Sequence, residues 1–161
     1  SYRYGDNFSA STELQNMVNE WYKSGTECIF SCGGEMCDSV FEAALANNGK
    51  SIGVDVDQSS VSDTVITSAM KGLNSGVQKM LTSFYAGKWV LVGGLSSNLG
   101  VDDNAVGLPF ATSKFEKFTE SEYVKLVNSM KSGGTLEVKN DFSAFLAGGE
   151  TFENVAVSFV K

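Results

Sequence analysis

The sequence has no histidine anywhere in its 161 residues. That absence removes Ser-His-Asp triads, Cys-His dyads, HExxH zinc sites and imidazole proton shuttles. Cysteine is scarce: three thiols, Cys28, Cys32 and Cys37, fall one short of an all-cysteine zinc site. No metal site is expected. Cys28 reads as a strand residue and Cys37 as part of a helix's apolar face, the usual setting of small buried thiols. There is one proline, Pro109. No apolar run approaches the ~18 residues that a membrane span needs. Positive charge is also short, with 12 Lys and Arg against 19 Asp and Glu and a net charge of −7. Nucleic acid is therefore not an expected partner. Neither a GxGxxG run nor a Walker loop is present, so phosphate binding is poorly supported and no cofactor is expected.

What is present is the material of one ordinary domain. A chain of this length buries roughly 70% of its unfolded surface on folding. Four stretches carry apolar residues at helical spacing. Leu14, Met17, Val18, Trp21 and Tyr22 mark the first, with Thr12 and Gln15 in capping-box positions and Gly25 beyond its end. Cys37, Val40, Phe41, Ala44 and Leu45 mark the second, followed by Gly49. Leu73, Val77, Met80, Leu81 and Phe84 mark the third, followed by Gly87. Tyr123, Leu126, Val127 and Met130 mark the fourth, with Thr119 and Glu122 as a capping box and Gly133 at its end. Strand-like runs are expected at residues 2–4, 27–31, 51–55, 65–68, 89–92, 104–108, 135–139 and 155–160. Alternating strands and helices give an α/β fold, a parallel sheet flanked by helices with right-handed crossovers.

In such sheets, ligands bind beyond the carboxyl ends of the strands. Three turns fall there and should converge on one edge. In the first, Phe8 stands among Asp6, Asn7, Ser9 and Ser11, either as a ring that stacks on a ligand or as a hydrophobic staple for the first helix. The second is Cys32-Gly33-Gly34. It is either a tight βα turn or a backbone approach to a ligand, with free N–H groups at the helix start. The third follows Asp55, a carboxylate placed to accept hydrogen bonds from a pair of hydroxyls. Asp57 stands two residues on, where a pair of carboxylates would suit acid–base work or a cation, and where turn formation is the plainer reading. Lys71 lies at a strand-to-helix junction, where it can reach a ligand, pair with Asp55 or stand in solvent.

Taken together these stretches resemble the basic membrane protein family, solute-binding lipoproteins that include the purine nucleoside receptors of ABC transporters. The resemblance is carried by YGDNF, WYKSGTECIFSCGG, IGVDVDQ and VITSAMKGLNSGV, and more thinly by MKSGG and LEV. It implies one lobe, plus crossover elements, of a two-lobed type I periplasmic binding protein. It implies no catalysis: a nucleoside-like solute would be clamped and delivered to an ABC permease. On that pattern Phe8 matches the stacking aromatic, Asp55 the ribose carboxylate and Lys71 the lysine of the TSxxK run, with Gly33 near the cleft wall.

Departures accompany the match. Ala10 stands where the family typically carries Asp, the loop from Asp57 to Thr64 is short, and the first lobe and the lipid-bearing cysteine are not in this sequence. The expectation is the C-terminal half of a longer, membrane-anchored, extracytoplasmic lipoprotein. Residues 1–63 would form the lobe with cleft-facing turns, and residues 64–105 a crossover belonging with the other lobe. Residues 106–161 would return to the lobe and extend it. An apolar crossover face would be covered by the other lobe or by a second copy in a homodimer. The competing readings are a sugar- or nucleoside-acting enzyme built on Asp55 and Lys71, and a sensory or interaction domain.

Overall fold

The computed structural model describes residues 1–133 and 156–157. Its elements run α1 (Thr12–Lys23), β1 (Cys28–Phe30), α2 (Met36–Ala46), β2 (Lys50–Asp55), β3 (Val65–Lys71), α3 (Leu73–Tyr85), β4 (Val106–Gly107) and α4 (Glu120–Lys131). The sheet order is β1-β2-β3-β4. The first three strands are parallel, and β4 runs antiparallel to the end of β3.

The core lies where α1 and α2 pack together over the start of the sheet. Val18, Tyr22, Ile29, Val40, Ala43 and Ala44 form it. The two alanines are fully buried, and their small size lets α1 come close. Two bonds lock the helices in place. Ser11 N–H donates to Ser39 Oγ at 2.9 Å, and Ser39 Oγ donates back to the Ser11 carbonyl at 3.1 Å. Tyr22 Oη donates to the Lys50 carbonyl at 2.7 Å, and burial pushes its phenol pKa well above the ordinary value. A smaller cluster of Cys37, Phe41 and Val65 joins α2 to β3.

The helices form where their spacing predicts. At the start of α1 the cap is Ser11, whose Oγ accepts from Leu14 N–H, and not the Thr12–Gln15 pair. Thr119 and Glu122 do form a reciprocal box at α4. Gly49 is needed for a different reason than helix termination. Asn48 takes the left-handed conformation there, while a Cβ on Gly49 would overlap the Tyr22 ring.

Several strand expectations change. Residues 2–4 supply only a single bridge at Tyr2. Residues 89–92 are not a strand. Gly87 turns the chain back, Lys88 N–H donates to the Ser83 carbonyl at 2.8 Å, and Trp89–Leu91 closes into a 3₁₀ turn. Among the described residues, that apolar run pairs with no strand. Instead Trp89 sets its ring edge-on against Phe84 at 5.9 Å. Residues 104–108 yield only β4, so the sheet is mixed and not purely parallel. Cys28 is exposed, against the expectation of burial, while Cys37 is buried. The strands expected at residues 135–139 and 155–160 lie essentially outside the described residues.

One feature of the connections sets up the site. β2 and β3 are parallel neighbours, yet residues 56–64 join them without a helix. A parallel return commonly takes a dozen or more residues. Here the chain leaves β2 sharply, and side chains of the loop hold it against the sheet.

Candidate functional site

The parallel pairing brings the ends of β1, β2 and β3 to one edge. Asp55 ends β2 and Lys71 ends β3. Their charges meet there, with Lys71 Nζ 2.5 Å from Asp55 Oδ1. The approach is short but not aligned as a hydrogen bond. Oδ1 is shielded from solvent and lacks a well-directed donor among the described residues. The Asp55 carboxylate, by its close contact first and its charge second, holds the Lys71 pKa above its ordinary 10.5; Cys32 adds a smaller push the same way. That influence places Cys32, at the end of β1, within electrostatic range of Lys71. The Asp55 side chain is still 38% exposed, so it can accept from a ligand.

Asp55 reaches this position through an uncommon backbone. Its φ is 70°, and Val56 N–H donates to the Val54 carbonyl at 2.8 Å. This is a γ-turn in its rare positive-φ form. Aspartate tolerates the left-handed region better than most residues with a Cβ.

Phe8 is on the same side of the molecule. It is 75% exposed, so it is not a staple for α1. Its carbonyl accepts from Met36 N–H at 3.0 Å, and a Cβ on Gly34 would lie 3.5 Å from Phe8 Cβ. The aromatic turn is thus seated on the β1–α2 turn with its ring in solvent. Gly33 faces Met36: a Cβ there would overlap the Met36 thioether, so that flexible side chain would have to move. The start of α2 is not an anion site. Met36, Cys37 and Asp38 N–H groups all donate to backbone carbonyls, as a tight βα turn requires.

Asp57 is engaged elsewhere. Its Oδ2 accepts from Thr112 Oγ1 at 2.7 Å and its Oδ1 from Ser59 N–H at 3.0 Å. These bonds, Thr112 first, lower its pKa. It stabilises the loop and does not form an acid–base pair with Asp55. No group of three or more Cys, Asp or Glu able to hold a metal occurs among the described residues.

Sequence reasoning missed the roles of two residues here, Gln58 and Thr112, which owe their places to partners far along the chain that no local spacing reveals. A cleft of about 400 Å³ opens beside Cys32, lined by Tyr2, Tyr4, Trp21 and Phe30 among others.

The comparisons with known proteins bear on this geometry. Residues 1–139 match the family described as ABC transporter substrate-binding protein, PnrA-like. The chain belongs to this family of ABC-transporter substrate-binding proteins. It is 31% identical over 124 residues to basic membrane protein D of Borreliella burgdorferi strain JD1, a match covering 74% of this chain and 36% of that protein. Two solved structures share the fold at 20% identity. A transcriptional activator of the comK gene from Bacillus halodurans superposes with a TM-score of 0.59 over 80% of this chain and 44% of its own. A solute-binding protein of an ABC transporter system from Aeropyrum pernix K1 does so at 0.53, over 88% and 42%. The chain therefore spans less than half the length of these relatives. The architecture resembles a periplasmic-binding-protein lobe.

The γ-turn makes a specific prediction. Asp55→Gly and Asp55→Ala both delete the carboxylate, but only glycine enters the left-handed region without strain. In urea unfolding the glycine variant should be the more stable of the two by about 1 kcal/mol. Equal stability would mean that Asp55 does not hold this conformation.

Proposed function

We propose that this chain is the solute-gripping half of a longer, lipid-anchored extracytoplasmic protein that delivers a nucleoside to an ABC permease. The observation that carries the reading is the convergence of Phe8, Asp55 and Lys71 on the carboxyl edge of a PnrA-like lobe. An exposed ring offers a stacking face for a base. A part-exposed carboxylate, pre-aimed by its turn, accepts from ribose hydroxyls. Lys71 stands against that carboxylate and offers further N–H donors. Because Asp57 is engaged with Thr112 and Ser59, the paired-carboxylate enzyme reading loses its second member. No described helix is long and apolar enough to cross a membrane, and the reading places the anchor outside this sequence.

The assignment of roles extends to the rest of the chain. Residues 1–63 carry the cleft-facing turns, and residues 106–161 return to the lobe and extend it. Residues 64–105 are the crossover that the other lobe covers in the longer protein. In support, α3 has no buried residue, and Leu73, Val77, Leu81 and Phe84 are each more than half exposed. Val77, Leu81 and Phe84, together with Trp89 and Leu99, line an apolar groove of about 520 Å³. Monomers rarely leave so much contiguous apolar surface in water. For the 161-residue chain alone, a second copy takes the place of the other lobe.

Two experiments test this. Calorimetry of the longer protein with inosine, guanosine, adenosine and ribose should show Asp55→Ala weakening nucleosides and ribose alike by about tenfold or more, the loss of a charge-assisted contact. Phe8→Ala should weaken nucleosides and spare ribose. An Asp55→Ala effect within about twofold would remove Asp55 from the site. Light scattering of the 161-residue chain should show concentration-dependent dimers that Leu81→Asp abolishes. A clean monomer at every concentration would overturn the homodimer.

A further inference from the structure

Gln58 makes more side-chain connections than its place in a loop requires. Its Oε1 accepts from Val54 N–H at 2.8 Å, and its Nε2 donates to Cys37 Sγ at 3.4 Å. Its own N–H donates to Ser68 Oγ at 3.0 Å. One residue thereby ties the loop to β2, to α2 and to β3. The room for it is made by Gly53, since a Cβ there would lie 2.6 Å from Gln58 Oε1 and 2.7 Å from Ser68 Oγ.

The bond to Val54 has a specific cause. β1 ends at Phe30, and its last contact is Ser31 N–H to the Ile52 carbonyl at 3.3 Å. Two residues further on, Val54 turns its N–H the same way by the alternation of a strand. There β1 has stopped, and a buried N–H without an acceptor is costly. Gln58 Oε1 supplies the acceptor that the strand does not. The Val54 carbonyl, in turn, closes the γ-turn on Val56 N–H. Strained φ values such as that of Asp55 persist only where the surroundings over-determine them. Gln58 grips both sides of the turn, through Val54 before it and through Ser68 after it.

We propose that Gln58 is a positioning residue: it holds Asp55 in its left-handed turn, and so sets the carboxylate against Lys71 and toward the solute. The solute clause rests on the reading of Asp55 as a ligand contact; the turn itself does not.

The test uses nuclear magnetic resonance on the full chain, with no solute present. Two readouts suffice: the HN–Hα coupling of Asp55, which reports φ, and the titration of the Lys71 ammonium, which faces Asp55 and Cys32. Gln58→Met removes the acceptor at near-constant volume and should release Asp55 from positive φ. Lys71 should then titrate lower, toward 10.5. Gln58→Glu keeps the acceptor and should keep φ. Cys37→Ala removes a buried partner of Gln58 without touching the Val54 bond, so it should destabilise the fold and leave φ and the Lys71 titration as they were. In the longer protein, Gln58→Met should weaken inosine by the factor that Asp55→Ala gives. An unchanged Asp55 coupling in folded Gln58→Met, or a lost one in folded Gln58→Glu, would overturn the proposal. Absence of inosine binding in the unaltered protein would instead strike the solute reading alone.

Discussion

The parallel ladder of β2 with β1 on one side and β3 on the other is the constraint from which the rest follows. Parallel strands end on a common edge, so residues distant in sequence arrive there together. Asp55 and Lys71 meet across neighbouring strand ends. The Cys32–Gly34 turn arrives from β1, and the Phe8 turn settles on it through Met36 and Gly34. The strands do not end level. β1 stops short of β2, and the vacancy it leaves at Val54 is filled by Gln58. The site is therefore built where the ladder becomes incomplete.

Most of the helices and the first parallel strands were legible because their signals are local. Apolar residues at i, i+3 and i+4 found the four α-helices among the described residues, and short apolar runs found β1, β2 and β3. The Trp89–Leu91 run misled because its apolar, branched residues resemble a strand, whereas among the described residues it pairs with none and closes into a 3₁₀ turn. Composition describes what a segment can bury, not what lies beside it. Cys28 misled for a similar reason: its strand is at the sheet's edge, so the alternation that buries Ile29 leaves its neighbours exposed.

The site was legible in its charged residues and not in their supports. A carboxylate at a strand end and a lysine at the next strand's end can be read from sequence, given the topology. The sequence around Phe8 suits a stacking ring and a helix staple equally, and only the exposure of the ring separates the two. The positive φ of Asp55 and the three bonds of Gln58 could not be read, because they arise from where β1 stops and where Ser68 and Cys37 happen to lie. The helical spacing of α3 was legible, but the exposure of its apolar residues is set by what packs beside it, which spacing does not show.

The most direct test of the account is a crystal structure of the longer protein with a bound purine nucleoside. The account predicts the Phe8 ring against the base and an Asp55 carboxylate oxygen within hydrogen-bond distance of the ribose hydroxyls, with Lys71 alongside. A nucleoside seated away from the carboxyl edge, with Asp55 still paired to Lys71 and touching no ligand, would contradict it.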